Sequence, residues 1–335
     1  MKLSVCIITL NEEANIGRTL KSVQPLVANG QGEIIMVDSG STDKTVEIAK
    51  SYGAKVFTEP WKGFAAQKNS AIDKAQGEWI LSLDADEEVS PELAAEIEGF
   101  FSFRSQPVFP PELLAKLQGL GPDETPGEEL SQELSAYHRT PASIAHGKQM
   151  KRMFTRQDLI RAHRKMKAAS KLDGKNLEDG ISLELTAFAM PRQNQFLGRW
   201  IRHGGFYPDK KLRLFQKGST YFKSAQRVHE TAETSGVTAT FHGDLIHHAY
   251  PTLSGYIEHM NKYSSLGAEM EIEKGRRGFS LINIVIRPWL TFIYNYIFRL
   301  GFLDGKEGLL LHLYHAVYVS WKYAKRWELS RKKSG

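Results

Sequence analysis

Four carboxylates stand within five residues in Asp84-Ala85-Asp86-Glu87-Glu88, directly after the apolar run Ile80-Leu81-Ser82-Leu83. Like charges packed so closely repel, so either water screens them at a loop tip or a cation gathers some of them. In an extended chain alternate side chains point the same way. Asp84 and Asp86 can therefore present both carboxylates to one point, and a hard divalent cation such as Mg²⁺ or Mn²⁺ takes oxygen ligands of that kind. Glu87 and Glu88 read as structural, because Ser90-Pro91-Glu92 spells an N-cap, a proline at the first helical position and an acid near the positive helix end. His247 and His248 raise zinc, but no Cys pair or HExxH spacing accompanies them.

The elements that must position these residues are short apolar runs alternating with helical patterns. Leu3–Leu10, Glu33–Val37, Ala54–Phe57 and Trp79–Leu83 read as strands, and Glu13–Val23, Thr42–Tyr52 and Phe64–Ala75 as helices between them. Strand, helix, strand repeated implies an α/β fold with a doubly wound, mostly parallel sheet covered on both faces. Ligands of such open sheets bind beyond the carboxyl ends of the strands. That rule brings Thr9-Leu10-Asn11-Glu12, Asp38-Ser39-Gly40-Ser41 and Asp84-Ala85-Asp86 to one edge.

The chain has 335 residues with 41% hydrophobic content, enough for a full core and roughly two domains' worth of length. The single cysteine, Cys6, lies in the first apolar run and reads as a small buried residue. The amino terminus lacks the basic segment, long apolar core and cleavage site of a secretory signal, which predicts a cytoplasmic protein. Four segments follow from the texture. Residues 1–101 form the first αβ half. Residues 102–184, punctuated by prolines and split into acidic and basic stretches, read as a helical, charged insertion. Residues 185–253 return to strand and loop, and residues 254–335 are helical and apolar. Net charge is +6, concentrated in a stretch from Lys148 to Lys171 with nine Lys or Arg against one Asp, and in the carboxyl-terminal tail. Nucleic-acid binding is disfavoured because only Phe154 interleaves that basic run.

The last 80 residues pose a membrane question. The uncharged stretches Pro288–Phe298 and Gly308–Trp321 fall short of the roughly 20 residues a spanning helix needs. Aromatic and aliphatic residues flanked by Lys and Arg suit a surface-lying amphipathic segment. A helical pair packed on the core, or a homodimer contact, is the competing reading.

The successive stretches VCIITLNEEAN, IIMVDSGSTDKTVEIA, QKNSAI and GEWILSLDADE resemble the signatures of glycosyltransferase family 2, which has the GT-A fold. PRQNQFLGRWIRHGGFYPDKKLRLF, RVHE and FLDGKEGLLLHLYHAVYVSWKYAKRWEL are similar to one branch of it, the bacterial lipopolysaccharide core glycosyltransferases that add a β-linked glucose. The resemblance covers residues 1–101 and about 185–330. It implies a UDP-sugar donor whose diphosphate leaves as an anion, stabilised by Mg²⁺ or Mn²⁺. It implies Asp86 as metal ligand, Asp84 at the ribose or on the metal through water, and His229 as a further metal or phosphate contact. Thr9, Asn11, Glu12, Asp38, Lys68 and Asn69 would form the nucleotide pocket, with Asp38 on the base. Arg202, Lys211 and Arg213 suit phosphate, since Arg makes bidentate contacts with it.

Inversion at the sugar carbon needs one base opposite the leaving group. Glu230, in RVHE, matches the family's base, and Asp209, in YPDKKLRLF, is the other candidate. The reading that follows is an inverting, metal-dependent hexosyltransferase acting on a lipid-linked acceptor such as lipopolysaccharide core, peripherally held on the inner face of the plasma membrane. A polyprenyl-phosphate glycosyltransferase and a catalytically silent membrane scaffold are the alternatives.

Overall fold

The computed structural model describes residues 2–104, 185–223, 232–234, 237–276 and 278–332. His229, Glu230, the basic stretch 148–171 and nearly all of the expected insertion lie outside the described residues.

The first hundred residues follow the alternation: β1 (Leu3–Thr9), α1 (Ile16–Val27), β2 (Gly32–Asp38), α2 (Thr45–Ser51), β3 (Lys55–Thr58), α3 (Phe64–Lys74), β4 (Trp79–Asp84), β5 (Glu87–Val89) and α4 (Pro91–Arg104). The second half adds β6 (Leu185–Met190), β7 (Arg192–Phe196), β8 (Arg199–Trp200), β9 (Lys211–Gln216), β10 (Thr220–Phe222), β11 (Ala232–Thr234), β12 (Val237–Thr240) and β13 (Leu245–Tyr250). The helices α5 (Leu253–Glu273), α6 (Arg287–Ile293) and α7 (Gly305–Lys332) complete it. The main sheet has the order β12-β6-β9-β4-β1-β2-β3, parallel from β4 to β3 and joined to the second half by antiparallel β9. A smaller sheet, β5-β13-β7-β8, lies at its carboxyl edge.

Side-chain alternation along β1 explains the two-faced cover. Leu3, Val5 and Ile7 enter one core with α1 and α4, whereas Cys6 and Ile8 enter the other with α3. Each such fully buried aliphatic side chain contributes about 1.5–3 kcal/mol. Cys6 is structural as expected: its thiol donates to the Ala71 carbonyl, and burial, with Glu33 nearby, pushes its pKa far up. Two helices begin later than the periodicity suggests. The residues before α1 and α2 are consumed in loops, where Asp43 accepts from the Thr45 amide at 3.0 Å and Glu12 accepts from the Asn15 side chain at 2.8 Å. The Ser90 cap of α4 forms as read, its hydroxyl accepting from the Leu93 amide at 3.1 Å.

The carboxyl-terminal helices are locked to the sheets by the Arg202-His203-Gly204-Gly205 turn that follows β8. The buried Asp304 carboxylate accepts from the backbone amides of Arg202 and His203 and from the His203 ring. A Cβ on Gly204 would sit 1.9 Å from the His312 ring, and one on Gly205 2.1 Å from Arg299 Nη1, so only glycine permits this approach. His312 is itself 1% exposed, and among the described residues neither ring nitrogen has a hydrogen-bond partner. Burial, with His315 alongside and Asp304 opposing, drives its pKa down to about 4.

An unfolded histidine protonates near pH 6.5. The unfolded chain therefore binds more protons than the folded one between about pH 6.5 and 4, and stability falls as pH drops through that window. The expected loss on protonating His312 is on the order of 2–4 kcal/mol. Denaturant unfolding at pH 7 and pH 5 should show it, and His312→Met should shrink the difference; an equal difference in the variant would exclude His312 as the cause.

Between α5 and α7 the chain departs from regular helix. Ile282–Ile286 and Tyr294–Phe298 are π-turns flanking α6. The sequence explains them: Ile282, Ile286, Leu290, Tyr294 and Phe298 recur every four residues and are all exposed. In a straight α-helix such a row drifts by about 40° per step and would wind to the opposite side by its end. The wider π-turns absorb the drift and hold the row on one face. Among the described residues no helix is long and apolar enough to cross a membrane.

Candidate active site

β1, β2 and β4 are neighbours and end level, Thr9 pairing with Asp38 and Ile8 with Asp84. The Asp38 carboxylate is buried and accepts from Thr9 Oγ1 at 3.0 Å, from the Gly40 and Ser41 amides at 2.9 Å each, and from the Ser41 hydroxyl. That fills about four lone-pair sites. A nucleobase N–H would have to displace Thr9 or Ser41. The loop after β1 is stitched to the same turn: Asn11 donates its amide to Ser41 Oγ and accepts from the Thr42 amide, each at 2.9 Å, and Glu12 donates its amide to Thr45 Oγ1 at 2.7 Å. Asn11 has φ of 54°, a left-handed conformation that Asn tolerates better than most residues.

Asp84 begins a chain of alternating charges. Lys68 lies 2.8 Å from one of its oxygens and Arg213 bonds the other. Arg213 also donates to Glu87 at 2.7 Å, Glu87 accepts from Arg192 at 3.0 Å, and Arg192 reaches Asp209 at 2.7 Å, which Lys211 meets at 3.0 Å. Burial opposes ionisation of Asp84, but Arg213 and Lys68 hold its pKa far below the carboxylate range. Asp209 is likewise lowered, burial opposing and the charges of Arg192 and Lys211 prevailing. Arg213, read from sequence as a donor contact, is buried instead and committed to Asp84 and Glu87, because an unpaired guanidinium cannot be buried there. Asn69, placed in the nucleotide pocket for its position on α3, brackets the Phe222 backbone with both ends of its amide.

Glu87 and Arg192 form the hub that sequence reasoning did not identify. Glu87 is fully buried, and its second oxygen accepts from the Asp84 amide at 3.1 Å. The available signal was the intolerance of a third carboxylate beside Asp84 and Asp86 for an apolar surrounding, which demands a cation from elsewhere in the chain.

Asp86 faces away from that network. Its Oδ2 lies 3.1 Å from His247 Nε2, and His247 Nδ1 lies 2.6 Å from Asn194 Oδ1. Asn194 donates its own amide to the Phe206 carbonyl, so its oxygen faces the imidazole and His247 carries a proton on Nδ1. Nε2 is thereby directed at the carboxylate. Burial pushes the Asp86 pKa up, but hydrogen bonding and charge from His247 outweigh it and hold it low. Glu12 adds a third acid nearby, its pKa raised by burial and by the charges of Asp86, Asp43 and Asp84.

This donor set fits a divalent cation. Asp86 and His247, 3.1 Å apart, would be the residues to hold it, and the cation would supply charge stabilisation at an anionic leaving group. A histidine that hands its other N–H to a carbonyl oxygen is the usual arrangement behind a metal ligand. Among the described residues no group of three or more His, Cys, Asp or Glu is gathered for a metal, and Mg²⁺ needs only one or two protein ligands when substrate phosphates supply others. His248 is not part of it; it pairs with Glu88 at 2.6 Å.

Residues 4–103 match the profile of glycosyl transferase family 2. An uncharacterised glycosyltransferase of Rickettsia typhi is 49% identical over 105 residues, 31% of this chain and 35% of that protein. The chain thus spans about a third of the length of such relatives. A lipopolysaccharide core biosynthesis glycosyltransferase, LpsC, of Rhizobium meliloti is 26% identical over 334 residues, 97% of this chain and 92% of that protein. Glucosyl-3-phosphoglycerate synthase from Mycobacterium tuberculosis, solved with Mn²⁺, UDP and glucosyl-3-phosphoglycerate, superimposes with a TM-score of 0.26 at 26% identity, covering 31% of this chain and 39% of that one.

Proposed function

We propose, from the premise that residues 4–103 of this chain are a glycosyl transferase family 2 domain, that the protein transfers a hexose from a UDP-sugar to a lipid-linked saccharide acceptor with inversion at the sugar carbon. The observation that carries the reading is the convergence, at one sheet edge, of the Thr9–Asp38 loop, the compensated Asp84 and the Asp86–His247 pair. The match to LpsC, a lipopolysaccharide core biosynthesis glycosyltransferase, along nearly the whole chain supports a saccharide acceptor of that type; glucose as the sugar rests on the resemblance of the later motifs alone.

In this reading Asp86 and His247 hold Mg²⁺ or Mn²⁺, which when bound neutralises the charge that develops on the departing diphosphate. His229, implied by the resemblance as a further metal or phosphate contact, lies outside the described residues and keeps that expected role beside Asp86 and His247. Thr9, Asn11, Glu12 and Asp38 shape the nucleoside pocket, Asp84 faces the ribose, and Lys68 and Arg213 keep Asp84 ionised and fixed. Glu230 takes the proton of the acceptor hydroxyl. The state of Asp209 supports that choice, because a carboxylate neutralised by two cations is a weak proton acceptor.

Donor hydrolysis tests the reading. With Mg²⁺ or Mn²⁺ present, UDP-glucose is expected to turn over faster than UDP-galactose, UDP-N-acetylglucosamine or GDP-mannose. No hydrolysis of any of the four, and no UDP binding by calorimetry, would reject it.

A further inference from the structure

We infer that the face built by residues 279–313 docks onto a phospholipid surface carrying anionic headgroups. Fifteen of the twenty exposed large apolar side chains of the described structure lie in this stretch. They are not scattered: Ile282, Ile286, Leu290, Tyr294 and Phe298 form one row, and Trp289 beside them is 62% exposed. A soluble monomer seldom leaves so much contiguous apolar surface bare. The two π-turns that keep the row on one face are a departure from regular helix that burial inside this chain does not explain, since neither turn contains a buried residue.

Charge selects the occupant. Arg287 and Arg299 are exposed within the same face, and the Lys306 side chain is 88% exposed. The acids of the stretch are withdrawn, Asp304 into its bonds with Arg202 and His203 and Glu307 to 16% exposure. A second copy of the chain packed on this face would bury arginines opposite arginines without acids to meet them. At a bilayer the exposed Lys306 reaches phosphate, and Arg287 and Arg299, with guanidinium groups over the Tyr323 and Tyr294 rings, add positive charge at the same level, while Trp289 and Tyr294 suit the headgroup level. Because Asp304 and the Gly204–Gly205 turn fasten this face to the catalytic half, docking would hold the strand-end site at a fixed height over the lipid from which the proposed acceptor projects.

The test is sedimentation of the full chain with vesicles, which needs no transferase activity and so fails or succeeds independently of the proposed reaction. Binding is expected to vesicles of phosphatidylcholine with phosphatidylglycerol, and to be clearly weaker to phosphatidylcholine alone. The double variant Trp289→Glu, Phe298→Glu should bind at least tenfold more weakly with an unchanged melting temperature, both residues being exposed. Arg287→Gln and Lys306→Gln should each cost about fivefold on the anionic vesicles only. The inference is overturned if the wild type binds neither vesicle, or if the double variant binds like the wild type. It is also overturned if the wild type is a dimer that the double variant dissociates and vesicles do not compete with.

Discussion

Asp86→Asn and His247→Gln are each expected to lower sugar transfer by about 10³-fold, the several kcal/mol of charge stabilisation that a bound cation supplies at a leaving diphosphate. The two substitutions act on facing atoms 3.1 Å apart, so their effects should not add in the double variant. Asn194→Ala should be milder, about 10- to 100-fold, because it removes only the carbonyl oxygen that fixes the His247 tautomer and ring orientation. Excess Mn²⁺ should partly rescue Asn194→Ala and not Asp86→Asn, which separates a residue that holds the ligand from the ligand itself. Calorimetric titration of UDP with and without EDTA gives a second readout. Full transfer activity in EDTA would end the metal assignment, and wild-type activity of His247→Gln would return the second ligand to a residue outside the described ones.

Asp84→Asn makes an instructive contrast, because Asp84 and Asp86 look equivalent in the sequence and are not equivalent in the fold. Lys68 and Arg213 already compensate Asp84, and Arg213 continues through Glu87 to Arg192 and Asp209. The network carries charge balance from the end of β4 to the loop before β9, and Asp86 stands outside it, with the His247 imidazole 3.1 Å from its carboxylate. Surface ion pairs are worth little, but a buried chain of this kind penalises loss of any one member by leaving its neighbour uncompensated.

The strands and the edge they define were legible because apolar runs of four to eight residues separated by helical patterns admit few other readings. Thr9, Asp38, Asp84 and Asp86 could be placed together for that reason alone. His247 could not. It comes from β13, whose pairing with β5 in a second sheet depends on contacts about 160 residues apart, and a histidine without a metal-ligand spacing gives no local signal. The partners of Arg213 and Asn69 were hidden for a related reason: residue type and strand position say that a side chain is near the site, not which buried groups it also bonds. The carboxyl-terminal stretch was legible as helical and apolar, while its π-turns were hidden in a four-residue spacing that resembles a helix until the drift is counted.

Glu230→Gln is expected to lower transfer by about 10²- to 10⁴-fold while leaving UDP-sugar affinity near normal, since glutamine keeps size and hydrogen bonding but cannot accept the acceptor's proton. Glu230 lies outside the described residues, so its assignment stands on the family resemblance of RVHE and on what the structure makes of its rival. Asp209 meets Arg192 through two guanidinium nitrogens, at 3.1 and 2.7 Å, and Lys211 at 3.0 Å. Those partners lower its proton affinity, and taking a proton would require breaking at least one ion pair during the reaction. Asp209→Asn should therefore retain most of kcat and show its effect as reduced stability, because Arg192 would lose half of its compensation. A pH–rate profile adds an independent readout: the acidic limb should vanish in Glu230→Gln and persist in Asp209→Asn. If Asp209→Asn instead abolishes turnover and Glu230→Gln keeps most of kcat, the roles are exchanged, and the ion pairs around Asp209 must open when the acceptor binds.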